Sequence, residues 1–330
     1  MKKYDVYALG NALVDTEVLI SDEILSSIGV TKSQMTLLNL DQRNRLVDQL
    51  TEPMMSAKKA SGGSAANSII AVNALGGSTF FSGKVADDEN GHFYHQDLID
   101  LGVDCQVIYQ DADDITGSCL VLITPDAERS MNTHLGISET LDTQQINAEA
   151  IACSEWLYME GYLASSASAT EAVLAAKTII QQNGGKTALS LSDVSMIEFC
   201  KTGLDAMLSK GIDLLFCNEE EAKAYSQQNN VSDALNSLQA IAQCIVLTRG
   251  AEGAIIFKNG QSIHIDAILT DAIDTNGAGD AFAGGFLYGL THGLTYEQAG
   301  KLASRIASKV VSQYGPRLTK LAYIEAKNLI

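Results

Sequence analysis

From residue 155 onward the chain alternates between short apolar runs and helix-length segments. The runs Trp156–Met159, Thr187–Leu191, Leu214–Cys217, Ile245–Thr248 and Ala254–Phe257 have strand length, and the stretches at about 168–182, 195–209, 219–226 and 231–241 read as helices. Such alternation predicts a mostly parallel sheet with helices on both faces, an α/β doubly wound fold. The amino-terminal part starts the same way. Tyr4–Leu9 reads as a strand ending at Gly10-Asn11, and Val18–Ile20 as a second. Asp41 is placed to cap a helix with Leu46 and Leu50 on its apolar stripe, stopping by Pro53. Ser61-Gly-Gly-Ser-Ala-Ala-Asn67 opens a small-residue helix reaching Leu75, followed by a strand at Thr79–Gly83 and a helix at Asn90–Leu101. The last helices are expected at 281–291 and 296–313, the second stopped by Gly315-Pro316.

Between 103 and 135 the pattern changes. Cys105–Tyr109, Ser118–Thr124 and Arg129–His134 are β-prone runs with no helix between them, which reads as antiparallel hairpins. Together with about 12–40 they are expected to form a small β-sheet lid, with Asp111–Asp114 as a solvated turn. With no repeat, linker or low-complexity tract, residues 1–330 are expected to form one continuous domain carrying that lid.

A hydrophobic content of 46% is ample for a large core, and a formal net charge of −18 argues against nucleic acid or an anionic membrane as a partner. Six cysteines without a Cys-x-x-Cys pair read as buried free thiols in a reducing compartment. No signal-peptide pattern and no membrane-length apolar run are seen, so a cytoplasmic location is expected. The five histidines lack metal-ligand spacing.

The chemistry concentrates in Asp274-Thr-Asn-Gly-Ala-Gly-Asp280-Ala-Phe-Ala-Gly-Gly285. A glycine-rich turn there opens a helix, and the unpaired N–H groups of a helix start suit an anion, phosphate above all. Asp280 beside such a cradle is either a dipole-favoured first-turn residue or a base that takes a proton from an attacking hydroxyl. Other polar residues fall at strand ends, where open α/β sheets bind ligands: Asn11 and Asp15, Asn218 and Glu221, and Thr248 with Gly250. Each has a bland alternative. Asn218 could simply cap the acidic helix after it, Gly62 and Gly63 could serve close packing, and Arg129 could be a solvated arginine. Gly184-Gly-Lys186-Thr187 echoes a Walker A tail, but Ile180 occupies the place of its first glycine, so it is not a P-loop.

The Asp274–Phe286 stretch resembles the carboxyl-terminal signature of the ribokinase-like (phosphofructokinase B) carbohydrate kinases, and its Asn276 form resembles the adenosine kinases among them. The resemblance runs from about residue 4 to 317. It implies Asp280 as catalytic base, the amides of Gly277, Ala278 and Gly279 as anion hole, and Arg129 swinging over the transferring phosphates. It implies Asn11, Asp15, Gly62, Gly63 and Asn67 on the sugar, the two glycines letting it approach the backbone. Thr248, Gly250, Asn276, Ser304 and Asn218 fall to the nucleotide. Glu221 and Asn218 organise Mg²⁺ and its waters around the ATP phosphates, the ion held through water. ATP and Mg²⁺ are the implied cofactors, a monovalent cation (K⁺) near Asp274 is left open, and so is monomer versus homodimer.

The function expected is ATP- and Mg²⁺-dependent phosphorylation of a ribonucleoside hydroxymethyl group, adenosine to AMP, with Tyr162 and Met131 as base contacts. A ribokinase- or fructokinase-like sugar kinase is the alternative. A non-catalytic binder has no use for a carboxylate beside a phosphate hole, and no Gly-x-Gly-x-x-Gly follows the first strand as a dehydrogenase would require.

Overall fold

The computed structural model describes residues 2–55, 57–110, 114–126 and 128–329. Its strands in chain order are β1 (Tyr4–Leu9), β2 (Leu13–Leu19), β3 (Met35–Leu37), β4 (Lys58–Gly62), β5 (Thr79–Ala86), β6 (Asp104–Gln110) and β7 (Gly117–Ile123). They continue with β8 (Arg129–His134), β9 (Ser154–Glu160), β10 (Lys186–Ser190), β11 (Ile212–Asn218), β12 (Ala242–Thr248), β13 (Ala254–Lys258) and β14 (Gln261–Ile265).

The large sheet has the order β14-β13-β12-β11-β10-β9-β1-β5-β6. From β12 to β6 every pairing is parallel, and only the β12–β13–β14 meander is antiparallel. Successive residues of β11 enter opposite cores. Leu214 and Phe216 pack with the helices Ser64–Ala74, Ala278–Thr291 and Tyr296–Val311, while Leu215 and Cys217 pack with Ala167–Gln182 and its neighbours. That alternation defines a sheet buried on both faces, as the run lengths predict. The chain builds β1, β5 and β6 toward one edge, then returns to lay β9 on the other side of β1 and continue to β12. The carboxyl ends of β1 and β9 therefore flank the crevice where strand order reverses, the place where such sheets bind ligands.

The helix Ala278–Thr291 is buried from Ala281 to Gly289. Its small residues are set by its neighbours: a Cβ on Gly284 would lie 2.3 Å from the Ser68 carbonyl oxygen, and one on Gly285 would lie 3.1 Å from the Ala303 Cα.

The second sheet has the order β3-β8-β7-β2-β4. Val18, Leu120 and Leu122 on one face pack with Leu25, Leu46 and Leu50 from the helices beside it. The other face, carrying Asp15, Cys119, Val121, Met131 and Thr133, turns toward the crevice.

Three expectations need correction. Cys105–Tyr109 belongs to β6, parallel to β5 in the large sheet, because the helix Glu89–Asp100 makes β5 and β6 a strand–helix–strand unit. β4 takes its place in the small sheet. The first long helix is capped by Asn39 in a reciprocal capping box with Gln42, not by Asp41. That helix ends at Gln49, before Pro53 as expected, and Pro53 sits in a separate short helical turn, Thr51–Met54. The six cysteines are free, but Cys153 is exposed and Cys105 and Cys200 are only half-buried. Residues 111–113 of the expected Asp111–Asp114 turn lie outside the described residues. Gly184-Gly185 leads into strand β10 rather than a helix, which removes the Walker A echo structurally. No helix among the described residues is long and apolar enough to cross a membrane.

Candidate active site

The helix Ala278–Thr291 starts at Gly277, whose φ of 73° is left-handed and whose missing side chain admits Pro316. Ala278 donates its N–H to the Thr275 carbonyl at 3.3 Å, so of the three amides expected in the anion hole it is the one engaged within the chain. A Cβ on Gly279 would meet nothing within 4 Å. The open space lies on the side of a cavity of about 260 Å³ lined by Thr248, Gly250, Ala278, Gly279 and Ser304, with Ile268, Phe282 and Val311 as apolar walls. Gly250, at φ 54°, also faces open space. Two glycines leaving room beside an apolar slot, with a helix start at one end, suit a nucleotide with its phosphates on the helix.

A second cavity, about 160 Å³, lies on the opposite side of that helix start. Asn11, Asp15, Gly63, Asn67, Tyr162 and Asp280 all line it, as expected. Asp280 accepts a hydrogen bond from Ser64 Oγ at 2.5 Å and another from Asn67 Nδ2 at 3.0 Å. Burial pushes its carboxyl up, against Ser64, Asn67 and the positive charge of Arg317. Asn276, expected with the nucleotide, lines this cavity and not the one beside Gly250 and Gly279.

Glu160, at the end of β9, holds the crevice together. Its Oε1 accepts from the Asn11 N–H at 2.8 Å and its Oε2 from the Ala65 N–H at 2.7 Å, joining β1, β9 and the start of the helix Ser64–Ala74. Burial raises Glu160 to about 7, and likewise Asp15. The two glycines of the amino-terminal motif serve the protein itself. A Cβ on Gly62 would lie 2.2 Å from the Asp15 carboxyl carbon, and one on Gly63, at φ 97°, would lie 2.3 Å from the Asn11 carbonyl oxygen. Their missing side chains leave room for Asp15 and for the β1 loop, and Gly63 also lines the second cavity.

Arg129 stands elsewhere than expected. Its Nη1 is 3.1 Å from Glu17 Oε1 and its Nε 2.6 Å from Asp274 Oδ1, and it lines neither cavity. Opposite charge on both sides holds it where the small sheet meets the loop before Gly277. Asp274 also accepts from the Asn276 N–H at 3.0 Å and the Gly315 N–H at 2.7 Å. The positive charge beside Asp274 among the described residues is the Arg129 guanidinium.

Asn218 and Glu221 form a reciprocal capping box. Asn218 Oδ1 accepts from the Glu221 N–H at 2.8 Å, while Glu221 accepts from the Asn218 N–H at 3.0 Å and from Nδ2 at 2.6 Å. The helix-cap alternative is therefore realised, and both Glu221 oxygens already have protein donors. Neither residue lines the cavities, although Asn218 is the register partner of Thr248. Burial raises Glu221 to about 7, with Asp193 and Glu220 adding like charge. A buried carboxylate among other carboxylates fits a divalent cation held through water. No group of three or more His, Cys, Asp or Glu among the described residues stands together as a direct metal cage. Arg249, beside Thr248, pairs with Glu219 and Glu252.

Sequence reasoning missed Ser64, Glu160 and Arg317, and most of the apolar cavity wall: Met35, Leu37, Cys119, Val121 and Met196. Glu160 had a signal, a charged residue directly after an apolar strand. The wall had none, because its residues come from β3, β7 and a helix far apart in the chain.

The model of the pfkB family carbohydrate kinase matches residues 29–321. A solved structure of a probable sugar kinase from Rhizobium etli CFN 42 is 35% identical, with a TM-score of 0.91 over 100% of this chain and 99% of that one. The adenosine kinase of Sinorhizobium meliloti is 33% identical, with a TM-score of 0.91 over 99% of each. The aminoimidazole riboside kinase of Salmonella typhimurium is 29% identical across 73% of this chain and 77% of that protein. With a ribokinase-like fold and these relatives, the chain is a phosphotransferase acting on a hydroxyl group, and it belongs to the pfkB family of carbohydrate kinases.

Proposed function

We propose that this kinase transfers the γ-phosphoryl group of ATP to the hydroxymethyl group of a ribonucleoside, adenosine before others, as a cytoplasmic purine-salvage step. The observation that carries the reading is the division of the acceptor cavity. Asn11, Asp15, Asn67 and Asp280 make one side polar, while Met35, Leu37, Cys119, Val121, Met131 and Met196 make the other apolar. A ribose has hydroxyls for the first set and nothing for the second; a purine supplies a planar apolar surface. At ~25 cal/mol per Å², ~100 Å² of buried base is worth roughly 2.5 kcal/mol.

Asp280 takes the proton of the acceptor hydroxyl as its oxygen bonds to the γ-phosphorus and the bond to the leaving diphosphate breaks. Gly279, at the helix start, offers its N–H to the charge developing on the phosphoryl oxygens. Asp15 accepts from ribose hydroxyls. Mg²⁺, when bound, neutralises phosphate charge, and Glu221 and Asn218 would hold its waters.

The test is a panel of adenosine, inosine, guanosine, ribose and fructose at fixed ATP and Mg²⁺. Adenosine should exceed both free sugars in kcat/KM by at least ~10-fold, which needs only ~1.4 kcal/mol. Tyr162→Ala should erode that margin and leave ribose turnover nearly unchanged. A free sugar coming out ahead replaces the nucleoside reading with the sugar-kinase one, which the Rhizobium etli relative supports.

A further inference from the structure

Arg317 follows Gly315-Pro316 beyond the helix Tyr296–Val311, and nothing above gives it a task. Its side chain is only 12% exposed in a strongly acidic chain. Nε donates to Asn67 Oδ1 at 2.8 Å, and Nη1 donates to Ser61 Oγ at 3.3 Å and lies 3.7 Å from Asp97 Oδ2. The far end of the Asn67 amide donates to Asp280 Oδ2. A guanidinium can only donate, so it obliges Asn67 to turn its oxygen toward Arg317 and hence its NH₂ toward the carboxylate. We infer that Arg317 is a positioning residue for the base: through Asn67 it fixes the amide's orientation, and its charge keeps Asp280 ionised and able to accept a proton.

The surroundings make that charge necessary. Asp280 shares its pocket with the carboxylates of Asp15 and Glu160 and with the phenol of Tyr162, and the buried phenols of Tyr158 and Tyr323 lie within electrostatic reach. Ser64 and Asn67 give it neutral hydrogen bonds, and the positive charge acting on it is that of Arg317. Glu17 and Arg129 face Asp15 as well, but Arg129 is held by Glu17 and Asp274. A base that must be ionised to work, set among other acids, needs a fixed cation nearby.

The inference rests on Asp280 being the base. It is tested by the pH dependence of kcat, which reports groups in the bound complex, with whichever acceptor the wild type turns over fastest. Removing the cation raises the carboxyl pKa, so Arg317→Met should move the acid limb of kcat upward by ~1 pH unit. Arg317→Lys, which keeps the charge, should restore most of that shift while kcat at the plateau stays reduced. A merely structural role would lower kcat at every pH and leave the limb in place, and that result overturns the inference. If Arg317→Met does not fold, Arg317→Gln carries the same test, since it keeps a donor for Asn67 and loses only the charge. Asp280→Asn separates the two readings. Retained turnover there refutes the base itself, whereas lost turnover with an unmoved limb in the Arg317 variants refutes only the role of Arg317.

Discussion

Asp15→Asn should make the unliganded protein more stable while weakening acceptor binding, and the gain should depend on pH. The half-buried carboxylate lines the cavity, and burial raises it from 3.8 to about 7, opposed by Arg317. The folded state therefore binds this proton more tightly than the unfolded chain does. Ionisation of Asp15 lowers stability as pH rises from the unfolded value toward about 7, and above that the loss is complete. Linkage at 1.36 kcal/mol per unit puts the whole loss at roughly 4 kcal/mol at pH 8 and about half of that at pH 5.5. The cavity mouth admits solvent, so ~2 kcal/mol is an upper figure for the difference between the two pH values. An asparagine carries no such charge, so its stability advantage over wild type should be larger at pH 8 by 1–2 kcal/mol, roughly. Urea unfolding of both proteins without ligand, at the two pH values, measures this as a difference of differences. Packing and hydrogen-bond changes common to both conditions cancel. The same variant should raise the KM for the acceptor at least ~10-fold. An advantage of equal size at both pH values, or one larger at pH 5.5, would refute the reasoning.

Two further perturbations separate ligand roles from structural ones. Glu221→Gln keeps an acceptor for the Asn218 N–H but loses the one for Asn218 Nδ2, a cost of about 1 kcal/mol, while the Mg²⁺ concentration for half-maximal rate should rise by ~10-fold; an unchanged titration leaves Glu221 as a helix cap alone. Gly62→Ala places a methyl where the Asp15 carboxylate lies and should raise acceptor KM by ~10-fold, about 1.4 kcal/mol, with little change in ATP affinity. Equal loss for both substrates in steady-state assays would show a general distortion instead.

The order of elements was written in the sequence, because strand and helix periods are local properties of the chain. So was the glycine-rich helix start at Gly277, since a glycine turn followed by an apolar small-residue helix is a contiguous signal. Asp280, Asp15 and Asn67 line one cavity and Thr248 the other, and each lies in or beside a strand or helix start that the sequence shows. Local reading failed where a side chain had two chemically sensible partners at different distances along the chain. Arg129 pairs with Glu17 and Asp274, and Asn67, besides lining the cavity, joins Arg317 to Asp280. Cys105–Tyr109 went to the large sheet because a helix upstream carried it alongside β5. The apolar wall that favours a base over a bare sugar exists only where β3, β7 and β8 of the small sheet come to lie over the end of β9. Local periodicity is set by neighbours a few residues away, but charge pairing and cavity lining are set by whatever the closed fold brings within a few ångströms, and no stretch of the chain records that alone.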